Sequence, residues 1–216
     1  MSAVVLDIDL ISGLPAPCDA DLVERFVVAR DHEAFAELVR RHSPVVLGVC
    51  RRVLNDTQEI EDVFQATFLV FVRDAARVHK RKSLASWLYG VAYRLALRVA
   101  RQKRRRRESV LVDDVLVDDN TPVKLADRHD QQIVDIELTA LPERYRQPLV
   151  LRYLAGKPPS EVASELGMMI GTVEGLLKRG KDELRTRLLR RGILSERPWL
   201  RCSGLNRRLG PLAQTH

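Results

Sequence analysis

This chain has few cysteines, no long apolar run and no strand-forming alternation, and each shortage closes off a class of protein. The cysteines Cys18, Cys50 and Cys202 are odd in number, widely spaced and without a CxxC pair. Neither a disulfide framework nor a zinc site is expected, and a reducing cytoplasm suits them. Cys50 sits among Val46, Leu47 and Val53 and reads as a small core residue. No stretch approaches the ~18 apolar residues of a membrane-spanning helix, so no membrane insertion is expected. The N-terminus has no basic leader, and Asp7 and Asp9 break its apolar start, which argues against a signal peptide. Cys18 follows Leu-Pro-Ala-Pro, a poor context for lipidation. Period-two alternation and hairpin dipeptides are missing, which argues against β-structure. His32, His42, His79, His129 and His216 form no motif, and the aspartates 113–119 fall in an apparent linker. No nucleophile with a base and no carboxylate cluster emerges, so neither an enzyme (a nuclease or resolvase, for example) nor a cofactor or metal is expected.

What the chain does have is clustered positive charge and helical periodicity. Its 216 residues carry a formal charge of +7, enough length for one large domain or two small ones. Arg94, Arg98, Arg101, Lys103 and Arg104 to Arg107 make one basic block. Lys178, Arg179, Lys181, Arg185, Arg187, Arg190 and Arg191 make another. Two such blocks point to two contacts with a polyanion, set against the plainer alternative of two solvated helix faces.

The pattern predicts an all-α fold. After a loose tail at 1–18, a short helix starts at Asp19 with Leu22 and Phe26 on one face, and a longer one spans about 32–55. Pro44 is expected to kink or interrupt the longer one. Asp56 with Glu59 three residues on marks the next start, and that helix fades after Ala76. A basic loop follows, and Ser83 caps a helix with Leu84, Trp87, Leu88, Val91, Leu95 and Val99 inward. Arg94, Arg98, Arg101 and Arg105 recur on another face at helical spacing. Residues 108–130, acidic and aperiodic, read as a linker. A second helical domain follows over 131–192, with Ile133, Ile136 and Leu141 inward. Pro148 is awkward inside its helix and implies a kink or an end nearby. Residues 193–216 have no period and are expected to be disordered.

Residues 158–181, PPSEVASELGMMIGTVEGLLKRGK, predict a short helix from Pro159 to Leu166, a turn at Gly167, and a second helix from about Ile170. Ala163, Gly167 and Val173 supply a small crossing residue, a turn that tolerates φ > 0 and a branched residue that packs back. Those are the needs of a DNA-binding helix-turn-helix.

These residues carry a family resemblance. DHEAFAELVRRHSPVVLGVCRRVLNDTQEIEDVFQATFLVFVRDA with SLASWLYGVAYRLALRVARQKRRRR resembles domain two of a bacterial RNA polymerase sigma factor. ALPERYRQPLVLRYLAGKPPSEVASELGMMIGTVEGLLKRGKDEL resembles domain four. No segment similar to domain three intervenes, which resembles the extracytoplasmic-function (ECF) subfamily. The resemblance implies two small helical domains (19–107 and 131–192) joined by the acidic linker. It also implies an alternative sigma factor that binds core RNA polymerase and directs promoter recognition, melting and initiation. The runner-up is a stand-alone helix-turn-helix regulator, which would need a dimerisation or ligand-sensing surface.

The resemblance implies specific partners. Glu61, Asp62 and Gln65 would grip the β′ clamp helices, and domain four would meet the β flap. His79, Lys80, Arg81, Lys82, Tyr89, Tyr93, Arg94, Arg98 and Arg101 would open and hold the −10 element, where unstacked bases and bare phosphates call for aromatic surfaces and cation ladders. Trp87, among apolar neighbours, reads as core. Thr172, Glu174, Gly175, Lys178 and Arg179 would face the −35 element. The family often has an anti-sigma partner. In the linker, the aspartates would mimic nucleic acid inside the polymerase, or serve as a plain tether. Relatives usually carry Asn at 94, Arg at 90, a basic residue at 174, Ser at 175 and Arg at 176. Here stand Arg94, Gly90, Glu174, Gly175 and Leu176, and Pro158 replaces a capping hydroxyl.

Overall fold

Helix starts in the first half of the chain are set by side-chain acceptors. The computed structural model describes residues 17–78, 83–109 and 122–193. Helix α1 (Asp19–Ala29) opens on a reciprocal cap between Cys18 and Asp21. For α2 (His32–Val53), Asp31 Oδ1 accepts from the Glu33 and Ala34 amides at 2.9 and 3.0 Å, and its other oxygen takes Arg25. Asp56 accepts from the Gln58 and Glu59 amides at the start of α3 (Thr57–Val78). Ser83 Oγ accepts from the Ser86 amide at the start of α4 (Leu84–Ser109). Each bond satisfies an amide that the helix leaves orphaned. The predicted starts at Asp56 and Ser83 are therefore present, but the Glu59 carboxylate pairs with Lys103 at 2.9 Å. Pro44 neither ends nor splits α2, which runs through it.

These four helices form the N-terminal bundle. Phe26, Phe35 and Phe71, from α1, α2 and α3, meet with ring centroids 5.1–6.2 Å apart, and Trp87 of α4 sets its edge on Phe71 at 6.3 Å. Trp87 thus packs against the core, as its neighbours implied. Cys50 is fully buried, and that burial pushes its thiol up to about 11, so it is an inert packing group.

The C-terminal bundle comprises α5 (Pro122–Ala140), α6 (Glu143–Leu149) leading into a π-helical turn (Val150–Leu154), α7 (Pro159–Leu166) and α8 (Ile170–Arg190). The expected linker over 108–130 is corrected at both ends. Helix α4 continues to Ser109 and α5 begins at Pro122. Proline suits a first helical position, and the polar residues after it show too little periodicity to announce a helix. The readings of 110–121, of 1–16 and of 194–216 lie outside the described residues. Pro148 has the predicted effect. It removes an amide from the ladder, and α6 widens within two residues into the π turn, closed by the Ala155 amide on the Val150 carbonyl at 2.9 Å.

Ile136 corrects the expected inner face of α5. It is exposed, while Val134 and Leu138 are buried together with Asp135 and Glu137. A periodicity reading places carboxylates outside. Here each carboxylate has a cationic partner that lets it turn inward: Asp135 has Arg52, and Glu137 has Arg191 and Arg187. The Asp135 pair joins the two bundles. Helix α5 packs on α2, and the π turn packs on α2 and α4.

Candidate nucleic-acid interface

Helix α4 changes character along its length. In its first half Leu84, Ala85, Leu88, Tyr89, Ala92, Tyr93 and Ala96 are buried. Farther along, Leu97, Val99 and Ala100 still pack on the core, while Arg94, Arg98, Arg101 and Arg105 all stand exposed on one face. Among the described residues none of these four meets a carboxylate. Lys103, on another face, is consumed by Asp56 and Glu59. Four exposed guanidinium groups at helical spacing make a ladder that suits a phosphate backbone.

Tyr89 and Tyr93 do not belong to that surface, which corrects their place among the −10 candidates. Tyr89 is wholly buried and Tyr93 is 4% exposed, their rings stacked at 6.3 Å. The Tyr89 hydroxyl donates to Asp135 Oδ1 at 2.9 Å. Burial pushes its ionisation well above the ordinary phenol value and that of Tyr93 up to about 12, so both stay neutral. The physical reason is the neighbouring bundle: the π turn packs on α4, and Asp135 of α5 reaches Tyr89. His79, Lys80, Arg81 and Lys82 lie outside the described residues, between Val78 and Ser83, which are both buried.

On α3, Glu61, Asp62 and Gln65 are all exposed, and Gln58 donates to Asp62 at 3.2 Å. One turn beyond Gln65, Leu69 is 69% exposed, an apolar side chain on a polar face that the periodicity reading did not single out. Its spacing of four from Gln65 was the available signal.

The helix-turn-helix has its predicted bounds. Gly167 takes φ 63, and the Met168 amide closes on the Ala163 carbonyl at 2.9 Å. Ala163 and Val173 are buried at the crossing, as are Leu176 and Leu177. Gly180 brings α8 against α6, where a Cβ would lie 3.2 Å from Tyr145 Cβ and Leu149 Cδ1. Thr172, Glu174, Lys178 and Arg179 are exposed and Gly175 is half-buried. The Arg179 Nε donates back to the Gly175 carbonyl at 3.2 Å, with its guanidinium over the space a side chain at 175 would fill. No side chain caps α8: Met169 holds that position and is 78% exposed. The second basic block is smaller than its sequence suggests, since Arg187 and Arg191 pair with Glu183 and Glu137. Among the described residues no three His, Cys, Asp or Glu side chains converge as a metal site, and no helix is long and apolar enough to cross a membrane.

Two helical bundles, one with an exposed arginine ladder and the other with a helix-turn-helix, define a class of DNA-directed helical protein. The sigma-70 region 2 family matches residues 38–106 and the sigma-70 region 4 family matches 132–184, together more than half of the chain. The ECF RNA polymerase sigma factor SigW of Bacillus subtilis is 25% identical over 73% of this chain and 90% of its own length. The RNA polymerase sigma-H factor of Pseudomonas aeruginosa is 29% identical over 77% of this chain and 91% of its own. Among solved structures, CnrH in complex with the cytosolic domain of CnrY aligns over 80% of this chain and 97% of that one, at 22% identity and a TM-score of 0.40. The chain belongs to the ECF sigma factors of bacterial RNA polymerase, and it is an alternative sigma factor that directs transcription initiation.

Proposed function

We propose that the exposed surfaces divide the work of initiation. The α3 face with Glu61, Asp62 and Gln65, extended by Leu69, docks on the clamp helices of the polymerase β′ subunit, and the C-terminal bundle meets the β flap. The arginine ladder of α4 holds the backbone of the −10 element as it melts. The leading half of α8 enters the major groove at the −35 element, with Lys178 and Arg179 as its main cations and Glu174 as an acceptor suited to cytosine N4. What supports this reading most is the ladder itself. Arg94, Arg98, Arg101 and Arg105 are exposed along α4 and meet no carboxylate among the described residues, a state whose self-repulsion is relieved by a polyanion.

The test is the salt dependence of open-complex formation by reconstituted holoenzyme. Arg98→Ala with Arg101→Ala is expected to lower the slope of log K against log salt by roughly 0.7–0.9 for each phosphate that is no longer neutralised. A slope equal to that of the unaltered protein would remove the ladder from the DNA. Asp62→Lys with Gln65→Ala is expected to weaken holoenzyme formation itself, and unchanged assembly would remove α3 from the polymerase.

A further inference from the structure

The leading turns of α8 are built without cations. No Lys or Arg stands between Lys157 and Lys178, a stretch that covers all of α7 and the first two turns of α8. What these turns expose is apolar or anionic. Met169 is 78% exposed and Ile170 49%, side by side where α8 begins, and Thr172 and Glu174 are exposed just beyond them. Met169 holds the cap position in extended backbone, at φ −71 and ψ 145, and makes no side-chain bond there. A Ser, Thr, Asp or Asn would cap the helix better, and an apolar side chain left in water adds nothing to the fold. A residue that works against its own helix at an exposed position points to something outside the chain.

A helix docked by its leading half sets such residues against base edges in the major groove. There an apolar tip finds one fitting partner, the C5 methyl of thymine. A carboxylate needs a donor. Guanine shows it only acceptors, and adenine sets N7 beside its amino group, so cytosine N4 is the fitting partner for Glu174. Given the placement of α8 at the −35 element proposed above, we propose that its leading turns read pyrimidines. Met169 and Ile170 take thymine methyls, Glu174 takes the amino group of a nearby cytosine, and Lys178 and Arg179 hold the backbone a turn later. Four residues of helix rise about 6 Å, so the cytosine lies about two base pairs from the thymines.

The test starts from holoenzyme carrying the full chain and promoter DNA with a randomised −35 segment, from which the bound sequences are selected. They are expected to share thymine and cytosine at that spacing on one strand. In the preferred sequence, deoxyuridine in place of thymine removes only the methyl. It is expected to weaken binding about fourfold per methyl with the unaltered chain. With Met169→Ala and Ile170→Ala it is expected to change nothing. Glu174→Gln is expected to reduce the preference for cytosine over thymine at its position at least about fivefold, because an amide donates as well as accepts. A −35 preference unmoved by deoxyuridine, or a cytosine preference unmoved by Glu174→Gln, overturns the pyrimidine assignment while leaving α8 at the element. So does lost holoenzyme assembly in the Met169→Ala, Ile170→Ala chain, which would give that tip to the polymerase. Selected sequences with no −35 preference at all would instead remove α8 from the element, and the pyrimidine assignment would fall with it.

Discussion

The N-terminal bundle starts its helices on side-chain acceptors, and among the described residues of the C-terminal bundle α6, α7 and α8 do not. Cys18, Asp31, Asp56 and Ser83 each accept from an amide at the opening of α1 to α4. Helices α6, α7 and α8 open on Pro142, Pro158 and Met169, none with a side-chain bond. The cores differ too. The first bundle is built round stacked aromatic rings, the second round aliphatic residues such as Leu151, Val162, Val173 and Leu188. The difference shows two ways of fixing a helix. Local capping sets where a helix starts before any partner arrives. Without caps, burial must do that alone, through the Gly167 turn and the close seating of Gly180 on α6. The bundle with the helix-turn-helix thus depends more on tertiary contact than the bundle with the arginine ladder.

Substitutions can break or sharpen that contrast. The largest effect is expected from Phe71→Ala, which removes a wholly buried ring from the centre of the aromatic cluster. It should cost ~3–5 kcal/mol in urea unfolding, and a cost below ~1 kcal/mol would show that the rings do not organise the first bundle. Next comes Leu151→Ala, also wholly buried, at ~2–4 kcal/mol, with the loss confined to probes in the second bundle. Asp31→Ala deletes an acceptor for two amides and a partner of Arg25, and should cost ~1–2 kcal/mol. Met169→Ser supplies the missing cap of α8 and should stabilise the second bundle by ~0.5–1 kcal/mol; no gain would mean that caps do not distinguish the bundles.

The smallest effect is an acid one. Burial alone would raise the Asp19 carboxyl. His42, with Nε2 2.9 Å away, and the more distant Lys157 and Arg41 outweigh it and hold the group down at about 2. A carboxylate with a depressed folded value contributes stability above its unfolded value of 3.8, and that contribution fades as pH falls through about 2. The contact of α1 with α2 should therefore loosen between about pH 4 and pH 2. Asp19→Asn should flatten that part of the curve, as hydrogen exchange of α1 amides would report.

Much of this was legible from residue order. The start of α3 at Asp56, the Ser83 cap, the wide turn after Pro148 and the helix-turn-helix bounds are short-range matters, each decided by neighbours within about one helical turn. The arginine ladder was legible for the same reason, since helical spacing alone puts 94, 98, 101 and 105 on one face. Ile136, Tyr89 and Tyr93 were not legible. Their placement depends on a partner at long sequence separation, Asp135 meeting Arg52 across 83 residues and Tyr89 across 46.

The amino-acid sequence by itself determined the starts of α3 and α4, the helix-turn-helix with its turn at Gly167 and the arginine ladder of α4, because each is written in residues close along the chain. Only the tertiary structure decided that Asp135 is buried, that two tyrosines of α4 are sealed, and that Arg187 and Arg191 are spent internally. The reason is the same in each case. A charged or phenolic group turns inward when a distant residue supplies the bonds that water would otherwise provide, and no local periodicity reports where that residue is.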